Sequence, residues 1–341
     1  MAGETFKARL EPGGREFILH PGESVLNCAL RQRILLQYGC RNGRCSSCKY
    51  LLIDGEVDLG NISSYSLTES EREEGWALLC QARALSDLVI REQPVADRDD
   101  APVITPDDRR AEVVAARPLS ESLWGLQLML ESRLSFYPGQ FIEVEIPGRP
   151  GSWRCYSIAS SPATPDRIEL IVKRIAGGEF SGRDEHFTAG FKLAIRGPYG
   201  MSYLRKSDRP VLLVATGSGL GPMLSIIRSA AERQDPRSYW LYYGARTESD
   251  LILRDELRLL EQRMAHFSFR SALSAPAAGD GWRGAVGRVT QVLQREIADA
   301  SPYDAYICGQ PEMCEAVATL LLAKGISEDR IFRDDFFAAS D

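Results

Sequence analysis

The chain of 341 residues contains only three histidines, His20, His186 and His266. No two of them stand at the spacing of a metal-binding pair, so a histidine-based metal centre is not expected. No apolar run reaches the roughly 18 residues that a membrane span requires. The opening Met1 to Glu11 is polar and lacks the apolar core of a signal peptide. A cytoplasmic protein with reduced thiols is therefore expected. The net charge of −6 is not the cationic excess that general nucleic-acid binding calls for. Internal repeats are not visible. Eight cysteines are too few, in a chain this long, for a dense disulfide framework. What remains is an ordinary globular composition, 44% apolar and 26% charged, with length for two or three domains.

Three of the cysteines crowd into Cys40-Arg41-Asn42-Gly43-Arg44-Cys45-Ser46-Ser47-Cys48. Four residues separate Cys40 from Cys45, two separate Cys45 from Cys48, and 31 intervene before Cys80. C-x4-C-x2-C…C is the plant-type spacing for a [2Fe–2S] cluster held by four thiolates. Small residues at Gly39, Gly43, Ser46 and Ser47 let backbone N–H groups approach inorganic sulfide. Arg41 and Arg44 suit the negative charge of such a cluster. Zinc and buried free thiols are the alternatives. Structural zinc sites usually pair two short hairpins, whereas here one short pair joins a wider arch and a distant fourth cysteine.

Residues 1–95 read as a small α+β domain. Thr5–Leu10 and Glu16–His20 form two strands around the turn Pro12-Gly13-Gly14. Ser24 caps a helix through Val25–Gln32. The cysteine loop leads to a strand at Lys49–Ile53. Thr68-Glu69-Ser70-Glu71 is a capping box, and Asp87–Arg91 closes the sheet. Residues 54–74 carry seven acids and one arginine, which makes either a solvated face or a docking surface for a basic partner. Residues 96–108, rich in aspartate with two prolines, have the composition of a linker. Cys28, Cys155 and Cys314 are expected to be packing residues.

Residues 109–207 alternate like strands. Leu126, Leu128 and Leu130 share one face, as do Ile142, Val144 and Ile146, and Ile168, Leu170 and Val172. A small six-stranded antiparallel β-barrel is expected, and the turn Gly197-Pro198-Tyr199-Gly200 is expected to end the domain. Two motifs on it suit a flavin. In Arg154-Cys155-Tyr156-Ser157, strand alternation puts Arg154 and Tyr156 on one face. Arginine suits a pyrophosphate or ring carbonyl, tyrosine stacks, and serine hydrogen-bonds the reactive edge. In Lys173-Arg174-Ile175-Ala176-Gly177-Gly178-Glu179-Phe180-Ser181, two glycines and a serine opening a helix would cradle a diphosphate.

Residues 208–341 alternate strand and helix, as a parallel α/β sheet does. The expected elements are Pro210–Ala215, Gly219–Arg233, Tyr239–Tyr243, Ser249–Ala265, Phe267–Leu273, Arg288–Ile297, Tyr303–Cys308 and Glu312–Lys324. The first strand runs into Thr216-Gly217-Ser218-Gly219-Leu220-Gly221-Pro222. Glycine amides at a helix N-terminus bind pyrophosphate, although the pattern is not G-x-G-x-x-G.

The cysteine loop, with Leu79-Cys80-Gln81-Ala82, resembles plant-type ferredoxin domains, most closely the N-terminal ferredoxin domains of bacterial oxygenase reductases. The R-x-Y-S set, the Gly-Gly turn and the T-G-x-G-x-x-P turn are similar to those of the ferredoxin–NADP reductase family. That resemblance implies flavin contacts at Arg154, Tyr156, Ser157, Lys173, Gly178 and Ser181. It implies nucleotide contacts at Thr216, Gly217, Gly219, Gly221 and Pro222. Tyr243-Gly244-Ala245-Arg246 falls on the adenosine side, with Gly244 and Arg246. Cys308-Gly309-Gln310-Pro311-Glu312-Met313 falls on the nicotinamide side, with Cys308, Gly309, Pro311 and Met313. Phe336 and Asp334 of the C-terminal Phe332–Phe337 segment would lie near the flavin ring, or else form an edge strand with core aromatics. FAD is preferred over FMN because the iron–sulfur segment is N-terminal. Glu248 and Asp250 would repel a 2′-phosphate, so NADH is favoured over NADPH, with Arg246 pulling the other way.

The whole order resembles the reductase component of bacterial multicomponent oxygenases. The implied activity is hydride transfer from NADH to FAD, then single electrons through [2Fe–2S] to a diiron hydroxylase or a Rieske dioxygenase. Ser157, Cys308, Asp334 and Phe336 would stand at the reacting edge. Two other readings use the same residues: a reductase for sugar-nucleotide deoxygenation, and a non-enzymatic redox sensor or electron-channel subunit.

Overall fold

The structure, a computed structural model, describes residues 4–60, 62–94, 102–277 and 281–337. The chain separates into two compact units, one built by the described residues up to Asp107 and the other by those from Asp108.

The first unit holds a five-stranded sheet in the order Glu16–Leu19, Phe6–Glu11, Leu88–Arg91, Lys49–Asp54, Trp76–Leu78. The first hairpin is antiparallel, and Leu88–Arg91 pairs with Phe6–Glu11 in parallel. Gly14, at φ +69°, supplies the left-handed residue its turn needs. Helix Val25–Arg31 starts where Ser24 accepts from the Asn27 N–H. It buries Val25, Leu26, Cys28, Ala29 and Leu30. Cys28 is thus a packing residue, as expected, and burial pushes its thiol up to about 12. Thr68 and Glu71 cap each other reciprocally and open the short helix Glu69–Glu73. Part of the linker expected over 96–108 lies outside the described residues; Asp107 already opens the first strand of the next sheet.

The second unit has two halves. Residues Asp107–Pro118, Leu123–Leu130, Phe141–Glu145, Trp153–Ser157, Arg167–Lys173 and Lys192–Tyr199 form one six-stranded sheet. Its order is Trp153–Ser157, Phe141–Glu145, Lys192–Tyr199, Asp107–Pro118, Leu123–Leu130, Arg167–Lys173. Pairing is antiparallel. An isolated antiparallel bridge from Ile158 to Leu170 links the two outermost strands. The predicted alternation holds: Leu126, Leu128, Leu130, Ile142, Val144, Ile146, Ile168, Leu170 and Val172 are all buried in one cluster.

Two readings change here. Glu143, placed on the outer face by alternation, is buried because Arg196 on the neighbouring strand pairs with it at 2.5 Å. Gly197-Pro198-Tyr199 is strand rather than turn. Tyr199 pairs with Phe141, and the chain leaves the sheet only at Gly200, with φ +109°.

The other half is a parallel sheet in the order Ala285–Val286, Phe267–Leu273, Tyr239–Ala245, Val211–Thr216, Asp304–Gly309, Ile331–Asp335. Val211–Thr216 sits at the point where successive strands go to opposite sides, which is where open α/β sheets bind ligands. Helices Leu220–Arg233, Arg254–Arg263, Val289–Glu296 and Pro311–Ala323 connect the strands. The helix expected over Ser249–Ala265 is shorter. A 3-10 turn at Glu248–Asp250 closes on Thr247, and Leu253 takes a left-handed φ of +53° before the helix begins. That detour lets Leu251 and Ile252 enter the core. Ile331–Asp335 is an edge strand, with Phe332 stacked on Tyr306 at 4.9 Å. No helix among the described residues is long and apolar enough to cross a membrane.

Candidate redox centres

The cysteine loop turns on three residues with positive φ: Arg41 at +60°, Gly43 at +76° and Ser46 at +58°. Left-handed residues in close succession swing amides to one side of a loop. Here the Cys40 N–H lies 3.2 Å from the Cys45 Sγ. The Gly43 amide donates to the Cys80 sulfur, and Ser47 to that of Cys45. Hydrogen bonding pairs the thiols as Cys40 with Cys45 and Cys48 with Cys80. Within these pairs the Cys45 thiol is drawn down to about 6 by the Cys40 hydrogen bond, and that of Cys40 is raised. Two pairs of sulfur, rather than one tight set, are what a dinuclear cluster needs. Gly39 is required by the same geometry, since a Cβ there would stand 3.0 Å from both the Cys45 Sγ and the Ser47 Oγ.

Asn27 and Gln81 support the loop from behind. Arg41 is buried and donates to the Asn27 Oδ1 at 2.6 Å, while Gln81 donates to the Arg41 carbonyl at 2.9 Å. The sequence by itself suggests for Arg41 only a compensating charge. Nothing in the local spacing predicts that Asn27, on the preceding helix, would be its partner.

In the flavin half, Trp153–Ser157 is the edge strand beside Phe141–Glu145. Arg154 and Tyr156 share a face, as alternation requires. Arg154 pairs with Glu179 at 3.0 Å, and Glu179 also meets Arg149. Tyr156 tilts against Phe180, with ring centroids 5.4 Å apart. Burial raises its phenol above the usual tyrosine range, so it stays neutral. Ser157 is buried at the strand end, and Lys173 is exposed at the end of Arg167–Lys173. Cys155 is exposed, not packed, because an edge strand leaves its second face uncovered.

The Gly-Gly segment opens no α-helix. It folds as successive turns, Gly178 N–H to the Ile175 carbonyl and Gly182 N–H to the Gly178 carbonyl, each 2.9 Å. A third glycine, missed in the sequence, enforces this: a Cβ on Gly182 would stand 2.6 Å from the Gly178 backbone. The backbone N–H groups of Glu179, Phe180 and Ser181 donate to no other described residue, although Phe180 and Ser181 are buried. Buried amides require an acceptor, and three in succession fit a diphosphate. The residues therefore fit FAD, with turn amides doing what a helix terminus was expected to do.

In the nucleotide half, the strand ends converge. Thr216 pairs beside Gly244, Ala215 beside Cys308, and Cys308 beside Asp334. Gly217–Gly219 forms a 3-10 turn that runs into Leu220–Arg233, with no side-chain cap on the helix. The Leu220 N–H donates back to the Gly217 and Ser218 carbonyls, so the glycine turn itself leads the helix at the switch point. Gly219 has no room for a Cβ, which would fall 2.3 Å from the Cys308 carbonyl oxygen. A Cβ on Gly309 would fall 2.4 Å from the Thr216 Oγ1 and 2.6 Å from the Met313 Cε. Pro311 opens the following helix. Arg246 follows the end of Tyr239–Ala245. Phe336 donates its N–H to the Gly309 carbonyl at 2.7 Å and packs its ring against the core. Cys308 is wholly buried and its thiol is raised well above normal by that burial. It is a neutral packing group at the end of strand Asp304–Gly309. Glu248 is ion-paired with Arg254, and Asp250 is bonded to Thr247.

Three sequence families match in the same order: a 2Fe-2S iron-sulfur cluster binding domain over residues 8–85, an oxidoreductase FAD-binding domain over 110–203, and an oxidoreductase NAD-binding domain over 213–319. The propane 2-monooxygenase reductase component of Mycolicibacterium goodii is 35% identical over 98% of this chain and 97% of its own. This chain belongs to the reductase components of bacterial oxygenases. The phenol 2-monooxygenase reductase component of Pseudomonas sp. is 33% identical over 99% of this chain and 96% of its own. Among solved structures, an Amycolatopsis cytochrome P450 reductase superposes with a TM-score of 0.86 at 30% identity, covering 98% of this chain and 100% of that one. The reductase thus carries iron–sulfur, FAD-binding and NAD-binding domains in one polypeptide.

Proposed function

We propose that this protein draws hydride from NADH and delivers single electrons to a terminal oxygenase. The observation that carries the reading is the coexistence, in one chain, of a thiol loop lined with amides and a flavin-and-dinucleotide module. When bound, FAD accepts electrons as a pair and the [2Fe–2S] cluster relays them one at a time; the chemistry belongs to these groups. The protein's own residues hold and orient. Cys40, Cys45, Cys48 and Cys80 ligate. Glu179, Phe180 and Ser181 offer amides to the diphosphate, with Gly178 and Gly182 keeping the turn tight. Arg154 and Lys173 supply positive charge, and Tyr156 offers its ring. Ser157 hydrogen-bonds the flavin edge, where charge develops on reduction. Thr216, Gly217, Gly219, Gly221 and Pro222 receive the nucleotide pyrophosphate. Gly244 and Arg246 face the adenosine, and Gly309, Pro311 and Met313 flank the nicotinamide over Cys308. Asp334 and Phe336 close the C-terminal side. The sequence limits 1–95, 109–207 and 208–341 are kept except at one edge: strand Asp107–Pro118 starts the flavin half at 107, leaving 96–106 between.

The partner we favour is a hydroxylase component acting on a hydrocarbon or aromatic compound, since propane and phenol monooxygenase reductases align end to end. A reducing, cytoplasmic setting suits four ligand cysteines and four others, none of them in a disulfide. The test is anaerobic mixing with NADH, followed by addition of a purified diiron hydroxylase or Rieske dioxygenase with its substrate. Bleaching of flavin and cluster absorbance, with hydroxylated product, is expected. Electron delivery to a sugar-nucleotide dehydrase alone would replace the oxygenase as partner. Failure to oxidise NADH with ferricyanide would leave only the sensor reading. NADPH supporting faster flavin reduction than NADH would overturn the nucleotide preference.

A further inference from the structure

Helix Leu220–Arg233 carries the nucleotide turn at its N-terminus and grips the flavin half along one stripe. Ser225, Arg228 and Glu232 stand three and four residues apart, so they project from the same side. Ser225 Oγ donates to the Ser160 carbonyl at 2.7 Å, Arg228 Nη1 to the Ala159 carbonyl at 2.9 Å, and the Ser161 hydroxyl to Glu232. Those three residues are consecutive and begin two positions after Ser157. Gly221 fits the same contact, since a Cβ there would sit 3.8 Å from the Ser157 carbonyl oxygen.

Arg228 is the junction of this contact. Its Nη1 also reaches Glu169 Oε2 at 2.8 Å, on strand Arg167–Lys173 of the flavin half. Its Nε and Nη2 bond Glu256 Oε1 at 2.8 and 2.6 Å, on helix Arg254–Arg263 of the nucleotide half. Glu169 is itself fixed, its other oxygen accepting from Gln127 at 2.9 Å and its backbone carbonyl accepting from the Ala159 N–H at 2.7 Å. A guanidinium serving two carboxylates and a carbonyl at once has little freedom.

We propose that Arg228 is a positioning residue for hydride transfer: by tying Ala159 and Glu169 to the nucleotide helix, it sets the distance between the nucleotide turn and the flavin edge at Ser157. The proposal rests on the NADH-to-flavin reading above. Hydride transfer needs its reacting atoms about 3–3.5 Å apart, and a misplacement of about 1 Å costs on the order of a hundredfold.

Two substitutions separate positioning from mere stability. Glu169→Ala removes the side-chain ion pair of Arg228 across the halves, leaving its bond to the Ala159 carbonyl, and Glu256→Ala removes equally close bonds inside the nucleotide half. Anaerobic stopped-flow with NADH gives the limiting rate of flavin reduction and the NADH dissociation constant separately. Hydrogen exchange of residues 157–161 gives a readout independent of activity. Glu169→Ala is expected to lower the limiting rate about tenfold, with FAD content and NADH affinity retained, and to speed exchange at 157–161. Glu256→Ala, which leaves every bond between the halves in place, is expected to lower the rate and speed exchange less than Glu169→Ala does. Equal effects of the two substitutions, or a Glu169→Ala loss that merely follows lost FAD, would overturn the positioning role. If NADH fails to reduce the wild-type flavin, the hydride reading itself falls and takes this role with it, an outcome recognised by the inert wild type.

Discussion

Gly39 shows how little tolerance the sulfur loop has. Its missing Cβ would stand 3.0 Å from the Cys45 Sγ and the Ser47 Oγ, tighter than ordinary packing allows. Gly39→Val is expected to abolish most of the iron and sulfide content while leaving bound FAD unchanged, as metal analysis and flavin absorbance would report. Thiol chemistry gives a second check at this scale. Cys155 is exposed, while Cys28, Cys308 and Cys314 are buried with raised thiol pKa values. A raised pKa leaves almost no thiolate at pH 8, and thiolate is the reactive form. Iodoacetamide on the cluster-loaded protein should therefore modify Cys155 first, as peptide mapping would show. Rapid labelling of Cys308 would contradict its burial.

At the scale of elements, the strand ends and the turns that leave them hold the nucleotide site together. Gly219 touches the carbonyl of Cys308 so closely that any side chain must push its turn away from the neighbouring strand end. Gly219→Ala is expected to weaken NADH binding about tenfold, or about 1.4 kcal/mol, measured as the dissociation constant in stopped-flow reduction. These elements were largely legible in the sequence. Continuous apolar runs mark the parallel strands, and the Ser24 and Thr68 caps mark their helices. The illegible parts depend on tertiary partners. The buried Glu143 needed Arg196 from another strand. The Gly178 region was expected to open a helix because Gly182, which forces turns instead, carries no signal without its three-dimensional neighbours. The break before Arg254 follows from burying Leu251 and Ile252, and neither residue announces it.

For the whole molecule, the order of domains follows from motifs whose spacing is fixed by chemistry, and that is why it could be read directly. Four cysteines at cluster spacing and a glycine turn after a buried strand are dictated by what they bind. The contact made by Arg228 is dictated only by how two halves meet, and single-sequence patterns do not encode that. Because the first unit is compact by itself, the two redox activities should separate. Cys45→Ser is expected to abolish cluster absorbance and cytochrome c reduction but to retain most NADH–ferricyanide activity. Loss of both activities from a folded variant would argue against a modular chain.

The central claim is that electrons enter in pairs through a flavin and leave singly through iron and sulfur. Metal, sulfide and flavin analysis of anaerobically purified protein, followed by titration with NADH, tests it most directly. The account predicts iron and acid-labile sulfide in equal amounts, bound FAD, and loss of both chromophores' visible absorbance as NADH is added. Zinc in place of iron, or protein that binds no flavin, would contradict it.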